Sequence, residues 1–370
     1  MVLVDAGGFT GGQSATFEPR ALFMAEMMKE LNYDAMTLGA KEAALGADMV
    51  RALASDPTLP LVSANLRDAE TGELLLPAMK VVMRGDVRVG ITAVSTLQPD
   101  RLEEIDIHPA DAVESLRAVV PDLRERCDVL VLLCRSGLSE AKHISSSLEQ
   151  SVDVVVVGNG KGGRGPVTPE TGGSLYLTAA TRGQSMGLAR LLLPKGDAPL
   201  RMAGDEIVLS RDVPEDPDVE AVVSEFMKNL NASLAGRGRA AATSRTSPDG
   251  HYFVGAKSCG ECHEREYERW LETPHSIAFD TLILAESESL PECYSCHVTG
   301  HNDAAGYDPS VDRATQLVNV QCEVCHDKGS RHARDGTYGD SLLMNACVTC
   351  HNQENSPDFD PELYWLMMEH

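Results

Sequence analysis

Eight of the ten cysteines stand in four copies of one pentapeptide, Cys-x-x-Cys-His. Two thiols separated by two residues can add to the two vinyl groups of one porphyrin, and the adjacent histidine then lies beneath the ring with a nitrogen directed at the iron. Four copies therefore predict four covalently attached c-type haems. The predicted attachment residues are Cys259, Cys262, Cys293, Cys296, Cys322, Cys325, Cys347 and Cys350, and the predicted proximal iron ligands are His263, His297, His326 and His351.

Other chemistry also uses paired cysteines. A zinc ribbon binds its metal through two Cys-x-x-Cys units, and a thioredoxin-like redox site uses one. Neither requires a histidine directly after the second cysteine, whereas all four copies in this chain carry one. The pattern therefore favours haem attachment over both alternatives.

The sixth ligand of each iron decides what such a chain can do. Two imidazoles give a closed, low-spin electron carrier, a methionine raises the reduction potential, and an empty position allows small molecules to bind and react. The candidates for this distal position in the second half of the chain are His251, His275, His301, His332 and His370. We expect His108 and His143, in the first half, to be ordinary histidines.

The last third of the chain resembles the tetrahaem cytochrome c554/c-prime family. Its matching segments are Cys259-Gly-Glu-Cys-His, Tyr267, Trp270, Thr273-Pro-His-Ser-Ile-Ala, Cys296-His-Val-Thr-Gly300, Val320-Gln-Cys-Glu-Val-Cys-His-Asp-Lys-Gly-Ser-Arg-His332 and Ser356-Pro-Asp-Phe-Asp. The resemblance implies a mostly helical and irregular multihaem domain, with distal ligands at His275, His332 and His370. It leaves the haem of His297 five-coordinate, unless His301, which follows that motif closely, fills the position.

Strand and helix patterns alternate along residues 1–210, which predicts an α/β domain with a largely buried sheet. Apolar and β-branched runs predict strands at Lys80–Gly85, Val87–Ser95, Asp128–Cys134 and Val152–Val157. Helical periodicity predicts helices at Pro19–Leu31, Lys41–Ser55, Ala110–Cys127 and Leu138–Gln150. Residues 211–250 are expected to hold a helix at Pro217–Leu234 and a linker, and residues 251–370 form the predicted haem domain.

The first domain resembles the 5′-nucleotidase-like branch of the calcineurin-type metallophosphoesterases, a family of α/β sandwiches. Its matching segments are Leu3-Val-Asp-Ala-Gly-Gly8, Tyr33-Asp-Ala-Met-Thr-Leu-Gly-Ala-Lys-Glu42, Leu61-Val-Ser-Ala-Asn-Leu66, Leu133-Cys-Arg-Ser-Gly-Leu138 and Gly158-Asn-Gly-Lys161. The family's metal-ligand positions are occupied here by Gly8, Ala40, Lys41, Arg135, Asn159 and Lys161. A di-metal site needs carboxylates and imidazoles. These departures predict a domain without hydrolytic activity that serves as a scaffold or docking module.

Two cysteines lie outside the motifs. Cys134 ends a predicted strand next to Arg135, where a thiolate would be favoured, so this position is a candidate anion or redox site. A buried structural thiol is the preferred interpretation. Cys127 begins the same strand, and about 3.3 Å per residue places the two about 23 Å apart, too far for a disulfide.

Charge and hydropathy restrict the partners and the location. The chain has 32 Lys and Arg against 56 Asp and Glu, a net charge of −24, which excludes a nucleic-acid-binding surface. Its longest apolar runs are far shorter than the roughly 20 residues of a membrane-spanning helix.

Haem is attached outside the cytoplasm, so we expect a periplasmic or extracellular protein. Residues 1–8 lack the features of a signal peptide, and we expect an export signal to precede them.

The sequence thus predicts an exported cytochrome that transfers electrons through four haems. Its partners would be redox proteins, other multihaem cytochromes among them. One alternative is an enzyme that reduces a small nitrogen or sulfur species at a five-coordinate haem. A second alternative is a homo-oligomeric filament in which His370 binds a haem of the next subunit. Enzymatic activity stays open, with electron transfer favoured.

Overall fold

The chain divides into two compact units, Met1–Pro214 and Glu215–His370. The computed structural model describes residues 1–11, 14–96, 106–148, 152–158, 173–179, 183–193, 200–210, 212–235, 247–301, 303–309, 316–336, 345–352, 355–356 and 358–368. Within these ranges, no helix combines the length and the apolar character that a membrane crossing requires.

The first unit alternates strands and helices. Its strands are β1 (Val4–Asp5), β2 (Ala35–Met36), β3 (Leu66–Asp68), β4 (Met79–Arg84), β5 (Val87–Ser95), β6 (Ile107–Pro109), β7 (Val129–Arg135), β8 (Val154–Val157), β9 (Leu175–Thr178), β10 (Ser185–Leu192) and β11 (Arg201–Val208). Its helices are α1 (Ser14–Glu30), α2 (Ala40–Ala43), α3 (Ala47–Ala54), α4 (Ala112–Glu125) and α5 (Leu138–Ser146).

A five-stranded sheet in the order β4-β5-β7-β8-β9 forms the centre of this unit. Strand β4 pairs antiparallel with β5, and the remaining neighbours pair in parallel. The described part of the unit also contains three two-stranded sheets. Strand β1 pairs with β2 in parallel, whereas β3 with β6 and β10 with β11 pair antiparallel. The parallel order brings the carboxyl ends of β5, β7 and β8 to one edge.

The central sheet is buried on both faces, so its strands are nearly continuous apolar runs. On β7, Leu130 and Leu132 pack in the cluster that contains α4 and α5 residues. The alternate residues Val131 and Leu133 pack in the cluster that contains β1 and β2 residues. Side chains that alternate along a strand therefore fill two separate cores.

The second unit is mostly helical, with short helices separated by turns. Its elements are α6 (Pro217–Leu234), α7 (Ala256–Gly260), α8 (Glu264–Leu271), a 3₁₀ turn (Pro274–Ile277), α9 (Ala278–Leu284), α10 (Pro291–Tyr294), α11 (Cys322–His326), α12 (Ser330–Asp335), α13 (Ala346–Cys350) and α14 (Pro361–Met368). Among the described residues its buried apolar clusters are small: one has six buried members around Phe279 and Tyr307, and the other is Leu230, Leu234 and Leu290.

Most predicted elements of the first unit lie within a few residues of the observed ones. The helix predicted at Lys41–Ser55 is instead two helices, α2 and α3. Gly46 separates them because it takes a positive φ of 85° as the residue before α3, a backbone conformation that a continuous helix cannot contain. The helix predicted at Pro217–Leu234 has the observed bounds of α6.

Candidate haem-binding site

The Cys-x-x-Cys-His segments form single helical turns. The amide of His263 donates to the carbonyl of Cys259 at 2.9 Å, and the amide of His351 donates to that of Cys347 at 2.7 Å. The third motif is the whole of helix α11. Residues i, i+3 and i+4 share one face of a helix, so each turn presents two thiols and one imidazole together.

Thiols of different motifs lie next to each other. A hydrogen bond to Cys322, together with burial, raises the pKa of Cys259, and the same bond lowers the pKa of Cys322. A hydrogen bond to Cys296, followed by burial, raises the pKa of Cys350. Helix α11 contacts both α7 and α13. The motifs therefore adjoin in the order first, third, fourth, second.

In the second unit, two pairs of imidazole rings lie close together. The ring centroids of His263 and His332 are 5.9 Å apart with an interplanar angle of 33°. Those of His275 and His351 are 6.1 Å apart with an angle of 43°. Burial lowers the pKa of both His275 and His351, which favours the neutral imidazole that can bind a metal. Each pair joins one proximal candidate to one distal candidate.

The second motif has a different environment. The Nδ1–H of His297 donates to the carbonyl of Ala278 at 2.6 Å, which leaves Nε2 available as a ligand. His301 packs edge-on against Tyr294, with ring centroids 5.1 Å apart. No imidazole of the described residues makes a ring contact with His297. His370, the predicted terminal ligand, lies outside the described residues.

Polar side chains beside the motifs hold the haem-binding segments in place. Trp270 Nε1 donates to the carbonyl of Val320 at 2.9 Å. Gln321 Oε1 accepts from the amide of Ala256 at 2.6 Å, and its Nε2 donates to the carbonyl of Val318 at 2.7 Å. No role was predicted for Trp270 or Gln321. Both residues lie in segments that match the cytochrome c554/c-prime family, and that match was the available signal.

The second unit has the surfaces that covalent haem requires. Helices α8, α13 and α14 contain no buried residue among those described, and their exposed apolar side chains include Leu271, Val348, Leu363 and Leu366. A unit of this size needs more buried apolar surface than two small clusters supply. Porphyrin rings would supply it, and the thiol and imidazole groups on each turn are the donors that haem c uses. The residues therefore fit the group.

In the first unit, Arg135 lies where the resemblance places a metal ligand. Its guanidinium packs against Gly8, and a Cβ on Gly8 would collide with it. Burial lowers the pKa of Arg135, while the nearby charges of Glu42 and Asp5 act in the opposite direction. A carboxylate side chain at position 8 would therefore require the Arg135 guanidinium to move from its observed position.

Glu42, the buried carboxylate of the same region, is bound by the backbone. It accepts hydrogen bonds from the amides of Gly8 at 3.2 Å, Thr10 at 2.9 Å and Gly39 at 2.8 Å. Both of its oxygens are engaged, Oε1 by Thr10 and Oε2 by the two glycines. Glu42 thus joins the loops that follow β1 and β2.

The other residues that replace the family's metal ligands lie at the surface or outside the described residues. Ala40 and Lys41 are exposed on α2, whereas Asn159 and Lys161 lie outside the described residues. Across the described ranges, no group of three or more His, Cys, Asp and Glu side chains is placed to hold a metal ion. The residues present around Arg135 do not fit a di-metal centre.

Cys134 is a buried thiol. It is fully buried and lies 3.1 Å from the hydroxyl oxygen of Ser136. Burial raises the pKa of Cys134 to about 11, although the hydrogen bond with Ser136 acts in the opposite direction. This environment favours the structural thiol over the thiolate alternative.

Comparisons with known proteins give each unit a separate relationship. Residues 258–327 match the family model described as "Cytochrome c554 and c-prime", a range that contains the first three motifs. Cytochrome c-554 of Nitrosomonas europaea is 28% identical over 98 residues, which cover 22% of this chain and 41% of that protein.

The first unit is similar to 5′-nucleotidases. Human 5′-nucleotidase is 25% identical over 257 residues, which cover 62% of this chain and 44% of that protein. A solved 5′-nucleotidase precursor from Thermus thermophilus superposes with a TM-score of 0.53 at 24% identity, covering 62% of this chain and 50% of that one. The chain spans less than half the length of these curated relatives.

These findings confirm the predicted architecture. The chain joins a 5′-nucleotidase-like region to a region that matches the cytochrome c554 family. The predicted fold class is also confirmed, since the first region has the calcineurin-like phosphoesterase fold and the second is helical.

Proposed function

We propose that this chain is an exported electron-transfer protein whose second unit carries four covalent haems c. The observation that carries the proposal is the pairing of proximal and distal imidazoles at 5.9 and 6.1 Å. Two metal–nitrogen bonds of about 2 Å each, added to the ring radii, give the separation of two imidazoles on one metal. When bound, haem c supplies one-electron chemistry at an iron whose potential is set by its axial ligands.

The pairs support distal ligands at two of the four proposed sites. His332 would complete the first site opposite His263, and His275 would complete the fourth opposite His351. At the third site we assign the position opposite His326 to His370, on the family resemblance. The adjacency of the attachment thiols supports a continuous series of sites in the order first, third, fourth, second.

The first unit would serve this function as a scaffold that does not hydrolyse phosphoesters. The support is the Arg135 side chain, which fills the space beside Gly8 that a ligand carboxylate would need. A cation in this space would also repel a second cation. Purified protein supplied with Mn²⁺ or Zn²⁺ should therefore release no phosphate from 5′-AMP above a no-enzyme control. Metal-dependent release that increases with protein concentration would contradict the scaffold role.

An absorption spectrum with a haem count tests the main proposal. We expect four haems per chain and a low-spin ferrous spectrum after reduction. His332→Ala should keep all four haems but create a carbon-monoxide-binding site, because it removes an iron ligand without touching the attachment residues. His251→Ala, a change in the same unit, should leave the response to carbon monoxide unchanged. Fewer than four covalent haems, or no effect of His332→Ala, would overturn the assignment.

One observation favours a second candidate function at the second motif. His301 packs against Tyr294, and His297 lacks an imidazole ring contact within the described part of the chain. An iron held there by His297 alone would bind and reduce a small nitrogen or sulfur species. Carbon monoxide binding by one haem in four of the unmodified protein would support this candidate, and a protein indifferent to carbon monoxide would exclude it.

Location and partners follow from the same chemistry. Covalent haem attachment requires a periplasmic or extracellular protein, and four haems require redox partner proteins, with other multihaem cytochromes the best matched. The second unit holds 7 Lys and Arg against 21 Asp and Glu over residues 251–370. A surface with this balance favours partners that present basic patches.

A further inference from the structure

Glu323 is a buried carboxylate within the third haem motif. It occupies the first variable position of Cys322-Glu-Val-Cys-His and is only 4% exposed. Charged side chains are rarely buried to this extent unless they are paired or hydrogen-bonded. The haem chemistry itself gives this position no role, so its burial needs a separate reason.

Three backbone amides converge on this carboxylate. Oε1 accepts from Val254 at 2.9 Å and from Gly329 at 2.7 Å, and Oε2 accepts from Gly255 at 2.8 Å. Burial raises the pKa of Glu323, and the three backbone hydrogen bonds act in the opposite direction. All three partners are donors, so the ionised carboxylate is the form that satisfies them. Gly329 has little room for a side chain, since a Cβ there would lie 3.2 Å from Glu323 Oε1.

The three amides belong to segments that carry different haem residues. Val254 and Gly255 directly precede α7, which carries Cys259. Gly329 directly precedes α12, which carries His332. One side chain of the third motif therefore fixes the attachment helix of the first haem and the helix with its distal ligand.

The charge of Glu323 also reaches the attachment thiols. The hydrogen bond with Cys322 and burial are the main causes of the raised pKa of Cys259, and the negative charge of Glu323 adds to them. The same carboxylate stands next to Cys322 in the chain. A buried negative charge acts at close range with little screening by water.

We propose that Glu323 is a positioning residue that joins the first and third haem segments and that its buried charge lowers the reduction potentials of these two haems. A nearby negative charge stabilises the ferric state relative to the ferrous state, because the ferric iron carries one more positive charge. This inference rests on the proposed haem attachment.

Spectroelectrochemical titration of the haem-loaded chain tests the proposal. The variants are Glu323→Gln, which removes the charge at nearly constant shape, and Glu261→Gln as a matched control. Glu261 also lies inside a Cys-x-x-Cys segment but is exposed, so water screens its charge. Haem content per chain and mass spectrometry of the haem peptides accompany each titration.

In Glu323→Gln we expect four haems, with two of the four one-electron steps moved to more positive potentials, and a smaller shift in Glu261→Gln. Titration curves that coincide for the two variants would overturn the proposal. If Glu323→Gln fails to retain haem at the first and third motifs, Glu323→Asp, which keeps the charge, takes its place. It should retain four haems with potentials close to those of the wild type, and two steps moved to more positive potentials would overturn the charge effect. A wild-type chain without covalent haem would refute the proposed function instead.

Discussion

At the scale of single residues, Gly8 and Arg135 illustrate how one replacement constrains another. Gly8 has a φ of 77°, and its missing side chain leaves the space that the Arg135 guanidinium fills. A side chain at position 8 would meet both a backbone penalty and a steric collision. Arg135 thus depends on a glycine at this position.

We expect Gly8→Ala to destabilise the first unit by about 1–3 kcal/mol, since it adds a collision to an unfavourable backbone conformation. Gly72→Ala is the control, because Gly72 also has a positive φ of 71° but open space within 4 Å of the position that a new methyl group would take. Thermal unfolding followed by far-ultraviolet circular dichroism measures both. Equal losses of stability would mean that Arg135 causes no collision.

Cys134 gives a second prediction at this scale. With a pKa raised to about 11 by burial, this thiol has very little thiolate at neutral pH. Iodoacetamide should therefore leave Cys134 unlabelled in the folded protein and label it after denaturation, as mass spectrometry of the peptide would report. Rapid labelling of the native protein would mean that the thiol is accessible and reactive.

At the scale of elements, helix α6 is joined to the rest of the second unit by a polar contact as well as by leucines. Asn231 is 7% exposed, and its Oδ1 accepts from the amide of Ser289 at 2.7 Å while its Nδ2 donates to Glu288 at 3.1 Å. The segment with Ser289 leads directly into α10 and the second haem motif.

We expect Asn231→Ala to lower the stability of the second unit by about 1–3 kcal/mol, because it removes two hydrogen bonds made by a buried side chain. Ser233→Ala is the control on the same helix, since Ser233 donates to the carbonyl of Leu230 within α6. Chemical denaturation followed by haem absorbance distinguishes them. An Asn231→Ala protein as stable as Ser233→Ala would show that α6 is held by apolar contacts alone.

Long helices and strands were predictable from the sequence, and very short strands were not. Helix α6 and strand β5 have the predicted bounds, because 18 and 9 residues carry enough periodicity to define an element. Strands β1 and β2 have two residues each and exist through pairing of Val4 with Ala35 and Asp5 with Met36. Two residues have no period, and their partners are distant in the sequence.

The proposed haem site also has residues that the sequence can predict and contacts that it cannot. The attachment residues are predicted from a local five-residue pattern, which requires no knowledge of the fold. The His332 ring lies next to the His263 ring because of the way the intervening chain folds. No rule of sequence spacing predicts this contact. Glu323 was missed because it stands at a variable position of the motif, where the haem chemistry tolerates many residues. Its role appears only when its three backbone partners are known.

At the scale of the whole molecule, the net charge of −24 predicts how electrons are exchanged with small reagents. A cationic oxidant such as hexaammineruthenium(III) is attracted to the protein, and salt weakens this attraction. Its reaction with the reduced protein should slow as ionic strength rises, whereas that of anionic ferricyanide should accelerate. Stopped-flow absorbance measures both rates. The same salt dependence for both reagents would mean that the charge around the site of electron exchange is not negative.

The small apolar clusters of the second unit have a consequence for biosynthesis. In the part of this unit that the structure describes, nine buried residues in two clusters do not offset the conformational entropy lost when a unit of this length becomes ordered. In the proposed haem-loaded protein, porphyrins would form most of the interior, so haem attachment and folding of this unit would be a single event. Until that event, the polypeptide would be a substrate for proteases. Haem supply and the haem-attachment machinery would then govern the cellular level of the protein as much as transcription does.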